Sequence, residues 1–346
     1  MKTIFRILAC YLAVSLILPS VTAEENQHTI DEAEYALQEF MSQSGWNDYV
    51  VEDYYVLYDA DIEEYGYIFK LSNDSFLGYA IAVEAPNGYH IAEASKNCVF
   101  PYDGYEDEYL LIYTTSFGYY AISDTMPLSI QEHLINTKSG SVINKNAVLI
   151  RRFEPSLNTI QGRYDPYRTD VYINNYSSWF EPAVQGTSNG CVPWSMAMAL
   201  KYLHNRGRIT LSITNVNSIG YTLYDLMGGS PDASITVSNT ISGLSSFGNL
   251  YCNRSLSTNG NGFWPVSFST VKGEIDSNYP LALMFNSGIL YGVRHSTTMV
   301  GYSVITYSGT PANYVIVRDP GTSGVPELYL SWNSTNIHGY YLIYVG

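Results

Sequence analysis

The chain has 346 residues, 46% hydrophobic and 14% charged, with 33 tyrosines, four cysteines and a net charge of −15. That is length for about two domains, in a composition too apolar for wholesale disorder. The acidic balance excludes a basic stripe for nucleic acid, and the cysteines give neither a disulfide framework nor a zinc spacing.

Lys2 and Arg6 precede an apolar run, Ile7 to Leu18, then Pro19 and the small-residue end Val21-Thr22-Ala23. Residues 1–23 are expected to be a signal peptide cleaved near Ala23. The run is short for a membrane span. The expectation is therefore a secreted or cell-surface protein with no stable membrane insertion after signal removal.

From Glu24 to Gly140 there are 22 acidic and 3 basic residues, net −19; from Ser141 onward there are 10 and 12, net +2. That break is a boundary signal. Ile30–Ser42 has helical spacing of Ala33, Ala36, Leu37, Phe40 and Met41. Strands are then expected at Tyr54–Tyr58, Tyr65–Leu71, Leu77–Glu84, His90–Ala94 and Tyr109–Tyr113, separated by turns such as Pro86-Asn87-Gly88. Residues 24–140 thus read as a small acidic α+β accessory domain. Tethering also makes it an intramolecular partner for the near-neutral half of the chain. Pro127 to Tyr172 reads as irregular, with Lys145, Arg151, Arg152, Arg163 and Arg168. Residues 141–171 are taken as a linker open to proteolytic nicking.

The remainder, 172–346, begins with a helix expected from about Val192 to Asn205. Pro193 suits its first turn, Met196, Ala199, Leu200 and Leu203 form its buried stripe, and Gly207 stops it. Further helices are expected at Ser238–Phe247 and Phe268–Ser277. Strands come next at Leu281–Asn286, Ser296–Thr306, Asn313–Asp319, Glu327–Trp332 and Tyr340–Val345. Helices first and antiparallel strands after them argue for an α+β class.

Cys191 lies where the Gly-rich turn before this helix ends, six residues after Gln185. A helix N-terminus favours an anion, and its free N–H groups can hold a developing oxyanion. A side-chain amide such as that of Gln185 can supply a second donor. Of the histidines in this half, His204 falls late in the same helix as a dipole partner, and His338 falls in a turn before the last strand. His295 opens a strand, and Asp319 leaves the next one near the same edge, so the hairpin makes them neighbours. There Asp319 can fix the imidazole tautomer. Each residue alone is more often structural; their order is the signal. A Cys98–Cys252 bridge is one further option.

In these residues the second half resembles the papain-like cysteine peptidases, and within them the bacterial C39-like peptidases. The resemblance rests on Gln185, Cys191 and Pro193, on His295 with Gly301-Tyr302, and on Asp319-Pro320. It implies a nucleophile helix packed on an antiparallel sheet. It further implies a Cys191 nucleophile, a His295 base and acid, an Asp319 orienter, and an oxyanion hole from Gln185 and the Cys191 N–H. Val192 and Trp194 depart from the family's small residues. An insert at Ser308–Asn313 lengthens the His-to-Asp separation. Gly78-Tyr79-Ala80-Ile81, His90 to Ser95 and Tyr119-Tyr120-Ala121 resemble the N-terminal regions of secreted C39-like and streptopain-type precursors, which implies a pro-region.

The expectation is a secreted cysteine peptidase acting on peptide or protein substrates, with no cofactor and no metal, and with zymogen synthesis left open by the linker. Two alternatives stand. One is another Cys-His-Asp acyl-transfer enzyme, an amidase or transglutaminase. The other is a non-catalytic binding module that uses its Tyr and Trp side chains for contact.

Overall fold

Alternating apolar and polar positions build a single sheet from both halves of the chain. The computed structural model describes residues 19–85, 88–123, 133–144, 170–259, 266–286, 294–332 and 337–346. The first half supplies β1 (Val50–Tyr58), β2 (Glu64–Ser72), β3 (Leu77–Ala85), β4 (Gly88–Lys96), β5 (Tyr109–Thr115), β6 (Gly118–Ser123), β7 (His133–Asn136) and β8 (Val142–Asn144). The second supplies β9 (Asp170–Tyr172), β11 (Leu281–Asn286), β12 (Arg294–Tyr307), β13 (Thr310–Arg318), β14 (Glu327–Ser331) and β15 (Ile337–Tyr341). They run in the order β15-β11-β12-β13-β14-β4-β3-β2-β1-β5-β6-β7-β8, with β9 paired to β12. β10 (Leu256–Thr258) and β16 (Ile343–Val345) form a separate pair. The class is α+β.

The halves meet as neighbouring antiparallel strands, β4 against β14, from Glu327↔Lys96 to Leu330↔Glu93. Helix α1 (Pro19–Gln43) reinforces that junction. Its Phe40 ring lies 5.5 Å from Trp46 and 5.7 Å from both Tyr314 and Tyr329. Its Gln43 amide pairs with the backbone of Thr306 in both directions, at 2.8 and 2.9 Å. One aromatic core therefore serves both halves.

The remaining helices cover the second half: α2 (Tyr176–Trp179), α3 (Cys191–Asn205), α4 (Val216–Leu226), α5 (Val237–Tyr251) and α6 (Phe268–Asp276). Every residue of α3 from Val192 to Leu203 is buried, and Gly207, at φ 76°, ends it. The Thr298 hydroxyl of β12 donates to the Ser195 carbonyl at 2.9 Å, pinning α3 to the strand that carries His295. Gly301 is where β9 crosses β12: a Cβ there would sit 2.6 Å from the Val171 carbonyl oxygen.

Several expectations need correction. The stretch read as irregular from Pro127 contains the β7–β8 hairpin, which extends the sheet beyond β6. Residues 145–169, with the basic positions of the linker, lie outside the described residues, as do 1–18 with the signal-like run. The stretch Ser308–Asn313 is taken up in the β12–β13 hairpin itself and forms no separate loop. The strands are long and turn over Ser308-Gly309, both at positive φ. The last strand is two, β15 and β16, and His338 lies in β15 rather than in a turn. Helix α4, unforeseen, starts at Asn215, whose side chain accepts from the Ser218 N–H.

Candidate active site

The thiol of Cys191 stands at the first residue of α3, following Gly190 and the left-handed Asn189 (φ 57°). Its residue is half-buried and its sulfur is free of any disulfide. The first amides of a helix lack intrahelical partners, so Cys191 faces a cluster of N–H groups and the positive end of a 15-residue helix.

His295 is the second residue of β12, opposite Phe285 of β11. Asp319 directly follows β13, whose Arg318 pairs with Thr298. Hairpin registry thus brings the two together, His295 Nε2 lying 2.5 Å from Asp319 Oδ1. The carboxylate is held on all sides. The Gly321 N–H donates to Oδ1 at 2.8 Å, and the Thr322 hydroxyl donates to Oδ2. With Nε2 committed to Asp319, Nδ1 is the ring nitrogen left for Cys191, whose thiol is hydrogen-bonded to the imidazole.

The electrostatics follow from this geometry. Burial alone would lower the His295 pKa, but the Asp319 charge and hydrogen bond, joined by Cys191, push it up to about 9. Burial opposes ionisation of Asp319 too, yet the His295 ring, then Lys138 and Thr322, hold it well below the usual carboxylate range. At neutral pH the pair is an imidazolium against a carboxylate.

Gln185 sits on the same rim. Its backbone N–H donates to the Pro320 carbonyl at 2.8 Å, tying its loop to the turn that carries Asp319. Its side-chain Oε1 is buried without a hydrogen-bond partner among the described residues. Of the other histidines, His204 accepts the Leu211 N–H on Nδ1 at 3.3 Å in the last turn of α3. Cys98 and Cys252 are free, so the bridge between them is not formed. Trp194 is wholly buried, facing Gly190 and Gly220 rather than widening or narrowing a cleft.

Sequence reasoning missed four contributors. Gly321 is one: a Cβ there would lie 2.9 Å from His295 Cε1 and 3.2 Å from Asp319 Oδ1. Thr322 is another, and the Asp-Pro-Gly-Thr order was its only sequence signal. The other two come from the first half, across the sheet. Phe117 places its ring edge-on to His295, centroids 4.8 Å apart, and also 5.4 Å from Phe285. Lys138 reaches Asp319 Oδ2 at 3.5 Å and the Thr322 hydroxyl at 2.8 Å. Nothing in local sequence marks either.

Among the described residues, no group of three or more His, Cys, Asp or Glu side chains is arranged to hold a metal ion. Residues 172–344 match the family model described as Peptidase_C39 like family. No curated protein matches the chain.

Proposed function

We propose that this chain, which belongs to the Peptidase_C39 like family, hydrolyses peptide bonds with Cys191 as nucleophile. Such a family suggests cysteine peptidase activity and is compatible with a papain-like arrangement of helix on sheet. The single observation that supports the finer reading is His295, held through Nε2 by Asp319 at 2.5 Å while its ring also interacts with Cys191.

The reacting state is an ion pair in which the thiol's proton already rests on the His295 ring and Asp319 holds that imidazolium through Nε2. The thiolate attacks the peptide carbonyl. The Cys191 N–H and the Gln185 amide receive the oxyanion, His295 returns the proton to the departing amine, and water clears the thioester. Losing the Gln185 donor should cost on the order of 3 kcal/mol of transition-state stabilisation.

The first half acts as an intramolecular partner that masks the dyad, with Phe117 on the imidazole and Lys138 on the carboxylate. Synthesis as a zymogen fits this cover, and so does export through residues 1–23. The two halves carry opposite net charges, but the contacts described between them are chiefly a strand pair, aromatic packing and hydrogen bonds such as those of Gln43 with Thr306. Among the described residues the ion pair between them at His295 and Asp319 runs from Lys138 of the acidic half to Asp319 of the other. Salt is therefore a weak lever on the mask.

The test is hydrolysis of a mixed peptide library by the reduced protein, before and after proteolysis within 145–169. Cys191→Ala should abolish cleavage, with Asp319→Asn milder. Cleavage by Cys191→Ala at the native rate would end this reading. Transfer to an added amine in preference to water would point to a transglutaminase on the same relay.

A further inference from the structure

Beneath the Phe117 contact lies a buried carboxylate with no part in the relay. Glu93 of β4 is fully buried and receives the Tyr79 hydroxyl at 2.5 Å, the Tyr119 hydroxyl, the Tyr113 hydroxyl at 3.5 Å and the Phe117 backbone N–H. Phe117 sits in the two-residue turn between β5 and β6 at φ 68°, a left-handed conformation that a bulky side chain adopts only when its surroundings hold it there. Beside the turn is a largely apolar cavity of about 130 Å³ lined by Phe117, Cys98, Phe100, Pro101, Asp319 and Leu328. An apolar cavity of roughly 150 Å³ accepts a benzene ring.

We propose that the Ser116-Phe117 turn is a lid on the dyad, latched by Glu93, whose ring leaves His295 for the adjoining cavity while the chain remains uncut. This deepens the peptidase reading and rests on it. Removal of the first half would uncover the site only at a structural cost. It would strip β4 from β14 and Phe40 and Trp46 from Tyr314 and Tyr329. A turn of two residues can move without touching any of these pairings.

The latch has a sign. The groups facing Glu93 are Tyr79 of β3, Tyr113 of β5, Tyr119 of β6, and Cys98 and Tyr102 after β4, with Leu330 of β14 opposite. Burial pushes its carboxyl up to about 7, although the surrounding hydrogen bonds pull the other way. Among those bonds the Phe117 N–H favours the ionised carboxylate, so seating the turn lowers this pKa and lifting it raises it. Seating is therefore favoured above about pH 7 and weakened as pH falls past it.

The experiment is iodoacetamide alkylation of the intact, reduced full chain at pH 6, 7 and 8, with each cysteine resolved by peptide mass analysis. At pH 8, Phe117→Gly should speed alkylation of Cys191 by about tenfold, the scale of a lost aromatic pair. Wild type should close that gap as pH falls through 7, whereas Glu93→Gln, neutral throughout, should react faster than wild type at pH 8. Equal Cys191 rates in wild type and Phe117→Gly would overturn the lid, and a wild-type pH response in Glu93→Gln would overturn the latch. Cys191 reacting no faster than Cys252 in every variant would instead overturn the nucleophile reading beneath both.

Discussion

At the scale of single residues, the charge state of His295 decides the chemistry. Its pKa, raised from an ordinary 6.5 to about 9, means that folding favours the protonated ring. That stabilisation is complete below about pH 6.5 and is lost as pH rises through about 9; the matching contribution of Asp319 is lost only in strong acid. Melting temperatures between pH 7 and 9.5 should therefore fall for the native chain and stay flatter for His295→Gln. Hydrolysis should decline over the same alkaline range as the imidazolium is lost. Gly321→Ala tests the packing of the pair: the new methyl meets the ring at 2.9 Å, so kcat should drop while the fold holds. Unchanged kcat would mean that the turn simply yields. Cys191, His295 and Asp319 were legible in the sequence because a helix start, a strand start and a strand end are local signals. Phe117 and Lys138 were not, because only the β4–β14 junction brings them near.

Among elements, the hydrophobic stripes were read well where they were long. The α3 stripe and the β11 to β14 run follow from spacing alone, and their ends shifted by a few residues. Helix α4 escaped notice although Val216, Ile219 and Leu223 repeat at helical spacing behind an Asn215 cap. Its Gly220 weakened the signal, since glycine disfavours helix interiors. The structure explains that glycine: a Cβ at 220 would lie 2.7 Å from the Trp194 indole. Gly220→Ala should therefore destabilise the protein by about 1–3 kcal/mol through overpacking at the α3–α4 contact, as read from a denaturant midpoint. A gain in stability, as expected for Gly→Ala in an open helix, would contradict the tight packing. The stretch Ser308–Asn313 shows how the added length is accommodated, since Ser308-Gly309 is a turn between strands longer than their apolar cores suggest.

Across the whole molecule, charge divided the chain more sharply than packing does. The −19 and +2 halves suggested separable bodies, yet β4 and β14 share a ladder, and Phe40, Trp46, Tyr314 and Tyr329 share a cluster. Strand patterns fix the face of each strand but leave open which strands become neighbours, so this joint was invisible in the sequence. The uncut chain should accordingly unfold in urea as one transition by both fluorescence and circular dichroism; two resolved transitions would mean that the halves are independent. The central claim is that Cys191 is a nucleophile armed by His295. It is tested most directly by the intact mass and labelled peptide of the chain after exposure to a peptidyl fluoromethyl ketone. The account predicts one adduct, on Cys191, formed far more slowly in His295→Ala. An adduct on another cysteine, or one on Cys191 formed equally fast without His295, would contradict it.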